Sequence, residues 1–310
     1  MLQSSLLQTA PVVPVRALVT DDNATVLRFA VEALKAGMAT ALVTLTEIRG
    51  GAARALGAQM AVREDGLYCG FVSGGCVEAA AASEAMSVIA SGQDREVKYG
   101  EGSPWFDIVL PCGGGITLSL HKLHDARPLL ATLNLLEQRK SVGLRYFPHS
   151  QRLQSSASPA DTGWHKGFFS ILYRPRTRAI VFGRSPEAQS TFAMAQAAGY
   201  DVHLCDSYDA RLPIDNYTAV LLLWHDLHRE LPVLQAALAA KPFYIGALGS
   251  QRTHEKRRQW LSELGWSQED IARIKAPIGI FPKARDASSL ALSVLADVAA
   301  ARLNLTPEKA

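Results

Sequence analysis

The sequence predicts an α/β protein of two domains: a mixed α/β domain over residues 1–174 and a doubly wound parallel sheet over residues 175–310. Three observations predict it. A length of 310 residues fits two domains of ordinary size. The second half alternates apolar, strand-like runs with helical runs, the pattern of a parallel sheet covered on both faces. The first half instead places a hairpin signal, Asp65-Gly66, among several strand-like runs. Hydrophobic residues make up 48% and charged residues 20%, so a full core can be buried and disorder is not the default.

In the first half, apolar residues at helical spacing (Val26, Phe29, Ala30, Ala33, Leu34) predict a helix over 24–36, stopped at Gly37. Residues 40–48, rich in β-branched types, read as a strand, and 60–63 with 67–72 as the hairpin. Residues 77–91 read as a helix ended by Gly92. Strands over 95–99, 108–110 and 116–120 precede a helix over 128–139 led by proline, which the first turn tolerates. A strand follows over 142–147. Residues 149–163, rich in Ser and Gln, read as an exposed loop, and 168–173 as a last strand before the boundary at Arg174-Pro175-Arg176. In the second half, strands over 179–182, 201–205, 219–224 and 243–245 alternate with helices over 186–198, 228–240 and 251–264. Ser267 and Asp270 fit a capping box for a short helix, and Asp286 a cap for the last one, 287–303.

Charge and composition exclude several functions. A net charge of +3 is too small to draw nucleic acid by bulk attraction. No apolar run reaches the ~20 residues of a membrane helix. Residues 1–14 are polar and proline-bearing, without the basic start and apolar core of a signal peptide. Cys69, Cys76, Cys112 and Cys205 form no secreted disulfide framework, so a reducing cytoplasm is the expected compartment.

The stretch with most chemistry is Ser73-Gly74-Gly75-Cys76-Val77-Glu78, where a strand, a glycine turn and a helix start meet. Two glycines permit positive φ and expose backbone N–H groups, and the helix start adds more. A thiol there is expected to be reactive, and Glu78 is placed to accept or give a proton. The same residues also fit a small buried cysteine beside a capping glutamate. A second glycine-flanked thiol, Pro111-Cys112-Gly113-Gly114-Gly115, follows the apolar run 106–110. Neither cysteine lies in a C-x-x-C, which argues against a closed zinc site. The loop 49–57 holds Arg49 and Arg54, either solvated or clamping a phosphate or carboxylate.

In the second half the first β-α turn, Gly183-Arg184-Ser185-Pro186-Glu187-Ala188, keeps only the first glycine of G-x-G-x-x-G. Asp206 ends the next strand, where a ribose-binding acid would sit. NAD(P) binding is therefore possible but disfavoured. The stronger feature is Tyr244-Ile245-Gly246-Ala247-Leu248-Gly249-Ser250-Gln251-Arg252-Thr253-His254, a strand running through a glycine loop into a basic helix. Free N–H groups, dipole and cations there make an anion site of Gly246, Gly249, Ser250, Arg252 and His254. Arg257 and Arg258 read as a solvated helix face.

Together these motifs resemble the XdhC/CoxI family, accessory proteins of xanthine dehydrogenase-type molybdenum enzymes. The motifs are V-S-G-G-C-V-E at 72–78, C-G-G at 112–114, Y-I-G-A-L-G-S-Q-R-T-H at 244–254 and A-P-I-G at 276–279, in the family's order over nearly the whole chain. The resemblance implies an XdhC/CoxI-type N-terminal domain and a Rossmann-like C-terminal domain. It implies a chaperone that binds molybdenum cofactor (molybdopterin), protects it during sulfuration by a cysteine desulfurase, and delivers it to an apo-molybdenum hydroxylase. On this reading Cys76 and Cys112 face the metal, Cys76 and Glu78 are the reactive groups, and Arg54, Gly74, Gly75, Gly113 and Gly114 complete the cofactor loop. The second-domain anion site takes the phosphate, across a domain cleft. The expected partners are the apo-enzyme, the desulfurase and a second copy of the chain, with no nucleic acid and no membrane. The chain departs from the family at Gly50-Gly51-Ala52-Ala53-Arg54, where only Gly50 and Arg54 carry over from G-S-x-P-R. It departs again at Gly183-Arg184-Ser185-Pro186, usually G-A-G-H, and after Gly279, where Ile280-Phe281-Pro282-Lys283-Ala284 replaces G-L-D-I-G-A. A nicotinamide-dependent oxidoreductase with Cys76 or Glu78 near the substrate is the alternative.

Overall fold

The computed structural model describes residues 12–103, 113–281 and 284–305. The chain forms two compact units, Met1–Pro175 and Arg176–Ala310. The expected strand 108–110 and Cys112 lie outside the described residues.

The first unit runs β1 (Val15–Leu18), α1 (Asn23–Lys35), β2 (Thr40–Arg49), β3 (Gln59–Arg63), β4 (Leu67–Gly70), α2 (Glu78–Ser91), β5 (Arg95–Gly100) and β6 (Gly115–Lys122). It continues with α3 (Arg127–Glu137), β7 (Val142–Phe147), β8 (Arg152–Ser156), β9 (Gly163–His165) and β10 (Phe168–Tyr173). A six-stranded sheet has the order β1-β4-β3-β2-β6-β5, and a four-stranded sheet the order β8-β7-β10-β9. Alternation along β2 explains the layering. Ala41, Val43 and Leu45 face a core shared with Ala81, Ala82 and Val88 of α2. Leu42 faces the other core, with Leu27 of α1, Leu129 of α3 and Phe169 of β10. Because both faces are covered, β2 is buried almost throughout and shows no polar alternation. Asp22 caps α1 through Ala24 N and Thr25 N, and Gly92 closes α2 in the left-handed conformation.

The expected loop 149–163 contains β8, an edge strand, and the start of β9. β8 is Arg-Leu-Gln-Ser-Ser with only Leu153 apolar. An edge strand that packs one apolar side chain leaves no period-two signal. The edge strand β1 and the two-residue strand β15 below likewise carry too little pattern to be read from sequence.

The second unit runs β11 (Arg178–Phe182), α4 (Pro186–Ala197), β12 (Asp201–Cys205), β13 (Thr218–Leu222) and α5 (Leu227–Ala240). Then come β14 (Tyr244–Ala247), α6 (Gln251–Glu263), α7 (Gln268–Ala272), β15 (Ile274–Lys275) and α8 (Ala287–Asn304). All pairings are parallel, in the order β12-β11-β13-β14-β15. One face packs Ile180, Phe182 and Val220 against Val233 and Leu234 of α5 and Leu261 of α6. The other packs Val181 and Leu221 against Ala188 of α4 and Val294 and Val298 of α8. This is the doubly wound parallel sheet that the sequence predicts. Its strand order reverses between β11 and β13, where such sheets open a crevice at their carboxyl ends.

Candidate functional site

Pairing in the first unit gathers the glycine loops. β2 runs antiparallel to β3 and β6, and β3 to β4. The carboxyl ends of β2 and β4 and the start of β6 therefore share one end of the sheet. Arg49 is opposite Gly115, and Gly70 opposite Met60.

The loop after β4 is built around Glu78. Its side chain is fully buried, and Oε1 accepts from Val72 N (3.1 Å), Ser73 N (2.8 Å) and Ser73 Oγ (3.0 Å). Oε2 accepts from Ser73 Oγ at 2.9 Å. Ser73 Oγ in turn receives Gly75 N at 3.2 Å and stands 3.5 Å from Cys76 Sγ. Gly75 has φ +108°, a conformation that disfavours any side chain, so the turn needs this glycine. The result is a tight turn with its carboxylate inside and its thiol outside: Cys76 is exposed.

The neighbouring loops fit against it. A Cβ on Gly74 would come within 3.3 Å of the Ala53 Cβ. A Cβ on Gly114 would lie 2.3 Å from Gly51 O and 2.5 Å from Arg49 O, so this glycine lets two backbones touch. Gly113 has φ +69°. Arg49 clamps the same end, donating to Glu101 O (2.9 Å), Glu47 Oε2 (2.6 Å), Thr117 Oγ1 (2.8 Å) and Ile116 O (3.2 Å). Arg54 is partly exposed, pairs with Asp21 at 2.7 Å, and lies 5.3 Å from the Phe71 ring centroid. It borders a cavity of about 230 Å³ that Asp21, Asn23, Phe71 and Thr162 also line. Arg54, Gly74, Gly75, Cys76, Gly113 and Gly114 thus come to one end of the sheet; Cys112 falls outside the described residues. Asp21 and the inward role of Ser73 were missed from sequence, where neither has a spacing signal. Among the described residues no group of three or more His, Cys, Asp and Glu side chains is arranged to hold a metal.

In the second unit Gly249 has φ +125°, and Ser250 caps α6, its Oγ accepting from Thr253 N at 3.3 Å. Arg252 is exposed in the first turn. His254 is partly buried; burial first, then Arg257 and Arg258, hold its imidazole below the ordinary range, so it is neutral at pH 7. Gly246 lies within β14, where a Cβ would meet Ile278 Cδ1 at 2.5 Å; packing requires it. The solvated face expected of Arg257 is corrected: it is 1% exposed and binds Glu230 Oε2 through Nε (2.8 Å) and Nη2 (2.7 Å), and Leu248 O at 3.0 Å. Arg257 and Leu261 are one helical turn apart on the inner face of α6, which explains the burial. At the Rossmann-like turn, Arg184 pairs with Asp206, and Arg229 Nη2 lies 3.0 Å from Asp206 Oδ1.

The other described thiols are less available. Burial pushes Cys69 up to about 12, and burial followed by Asp209 raises Cys205. Cys76 is therefore expected to alkylate fastest of the three at pH 7.5, as peptide mapping of a timed iodoacetamide reaction will read. Equal labelling of Cys69 or Cys205 would count against the built turn.

A mixed α/β unit with an exposed thiol on a glycine turn is joined here to a Rossmann-like parallel sheet. The chain belongs to the XdhC/CoxI family. The model described as the XdhC and CoxI family matches residues 33–100, and that of the XdhC Rossmann domain residues 179–298. The chain is 64% identical over 293 residues to the molybdenum cofactor insertion chaperone PaoD of Escherichia coli K12, covering 94% of this chain and 92% of that protein. It is 26% identical over 259 residues to the uncharacterized protein YqeB of the same organism, covering 83% of this chain but 42% of YqeB. A crystal structure described as a xanthine dehydrogenase from Bacillus halodurans has the same fold, with a TM-score of 0.71 at 20% identity, over 92% of this chain and 97% of the other.

Proposed function

We propose that this chain binds molybdenum cofactor as cargo and inserts it into a molybdoenzyme. The observation that carries the reading is the 64% identity to PaoD along 94% of the chain. The finer reading is support for sulfuration by a cysteine desulfurase before delivery to an apo-molybdenum hydroxylase of the xanthine dehydrogenase type. Cytoplasmic residence and a second copy of the chain as partner belong to the same reading. The donor set fits the cargo: an exposed thiol, as thiolate, is a soft ligand suited to molybdenum. Cys76, with Cys112, takes the metal end, while Gly74, Gly75, Gly113, Gly114 and Arg54 shape the loop. Glu78 positions Cys76 through Ser73. The uncharged N–H groups around Gly249 and Ser250, with Arg252, suit the phosphate of the pterin; Gly246 and His254 support that turn.

The oxidoreductase alternative is weakened by Asp206, which two arginines already engage. Reconstitution separates the two. An apo-molybdenum hydroxylase supplied with cofactor is expected to activate faster and further with this protein present, while the protein alone turns over no nicotinamide. Cys76→Ala and Arg252→Ala should each lower cofactor retention, Arg252→Ala by roughly tenfold to a hundredfold for one charge-assisted hydrogen bond. Equal activation with and without the protein would overturn the reading.

A further inference from the structure

Away from the thiol loop, at the other end of the six-stranded sheet, a cavity of about 490 Å³ opens between β6, α3 and β8. Its wall includes His121, His124, Arg127, Ala131, Arg152 and Ser155. His121 is 5% exposed and opposite Leu42, near the start of β2. Its Nδ1 lies 2.6 Å from Asp94 Oδ2, a side chain only 4% exposed. Asp94 is itself fixed by Tyr146 Oη (2.8 Å) and Lys122 N (3.0 Å). Burial pushes the Asp94 carboxyl up, but the hydrogen bond and charge of His121, with its other donors, outweigh burial and hold it below the ordinary range. A carboxylate on Nδ1 orients the ring and fixes which nitrogen is left free. Nε2 has no protein partner among the described residues, and it is a donor whenever the ring carries both protons.

The wall carries two arginines and two histidines against one carboxylate, Asp125, a balance that favours an anion. The start of α3 lines the cavity, but its first two residues offer no free N–H: Arg127 N donates to Asp125 Oδ1 at 2.8 Å, and Pro128 has none. Arg152 lines the rim with no acidic partner among the described residues. Asp125 also lines the wall, but it is neutralised by Arg127, whose Nε and Nη2 lie 3.0 and 2.9 Å from its oxygens. Apolar wall from Leu123, Ala131 and Leu153 leaves room beyond a single phosphate. We infer that this cavity binds a small organic phosphate, its phosphoryl oxygens held by His121 Nε2 and Arg152. Phosphate matches better than carboxylate because it offers acceptors in more than one direction to donors from two strands, β6 and β8.

The test titrates inorganic phosphate into the full chain, at constant ionic strength set with chloride, while NMR follows the His121 and His124 ring signals. A saturable shift of the His121 signal is expected. R152Q, at the cavity rim, is expected to keep the wild-type amide spectrum yet weaken phosphate binding roughly tenfold or more, as for one charge-assisted hydrogen bond. C76A should bind phosphate here as the wild type does, which separates this site from the thiol loop. No saturable shift at His121, or equal affinity in R152Q and wild type, would overturn the assignment.

Discussion

Glu78→Ala is expected to destabilise the first unit by about 3–5 kcal/mol, since three buried donors each lose an acceptor worth about 1–3 kcal/mol and such losses add imperfectly. The donors are Val72 N, Ser73 N and Ser73 Oγ, and all three bond to the carboxylate of Glu78, a side chain with no exposure. A domain of this size should then melt roughly 10 °C lower. Glu78→Gln keeps one carbonyl acceptor but turns an NH₂ toward the donors, so it should fall between. Urea denaturation followed by circular dichroism reads both. A loss below about 1 kcal/mol in the alanine variant would mean that water replaces the carboxylate and that the turn stands without it.

The second large effect is in the other unit. Arg257→Met is expected to cost about 3–5 kcal/mol, because it leaves the Glu230 carboxylate buried and unpaired. The double change Glu230→Leu with Arg257→Met should recover most of that loss, since buried pairs replaced by apolar side chains are often neutral or better. Burial pushes Glu230 up to about 7, against the opposing pull of Arg257. A raised acid is protonated in the fold before it is in the unfolded chain. Its stabilising contribution is therefore complete below the unfolded value near 4.5 and is lost as pH rises through about 7. Removing Arg257 raises Glu230 further, so the penalty should grow toward alkaline pH and shrink in acid. A penalty independent of pH would show that Glu230 is not the group left stranded.

The parallel sheet of the second unit was legible because its strands are buried on both faces and read as continuous apolar runs between glycine stops. Thr218–Leu222, fully buried, is the clearest. The edge strands were not, since β1 and β8 pack too little apolar surface to set a period. At the thiol loop, sequence located Cys76 and its glycines from turn chemistry alone. It could not tell that Glu78 points inward to Ser73, because a first-turn glutamate reads the same whether it faces the dipole, solvent or a loop. Arg257 was misread for a related reason. On a helix of mean polar character, one buried arginine is visible only through its partner, and Glu230 lies 27 residues away in sequence.

The bond from Glu78 back to Val72 and Ser73 also fixes how this part of the molecule breathes. The amide protons of those two residues are held by a side chain rooted in the first turn of α2, not by a neighbouring strand. They can exchange with solvent only when Glu78 leaves its buried position. Loop and helix start thus form one cooperative opening unit. The thiol at its tip rides on a platform as slow to open as the helix beneath it, and deuterium uptake at Val72 and Ser73 should follow that of the opening turn of α2 and not that of a surface loop.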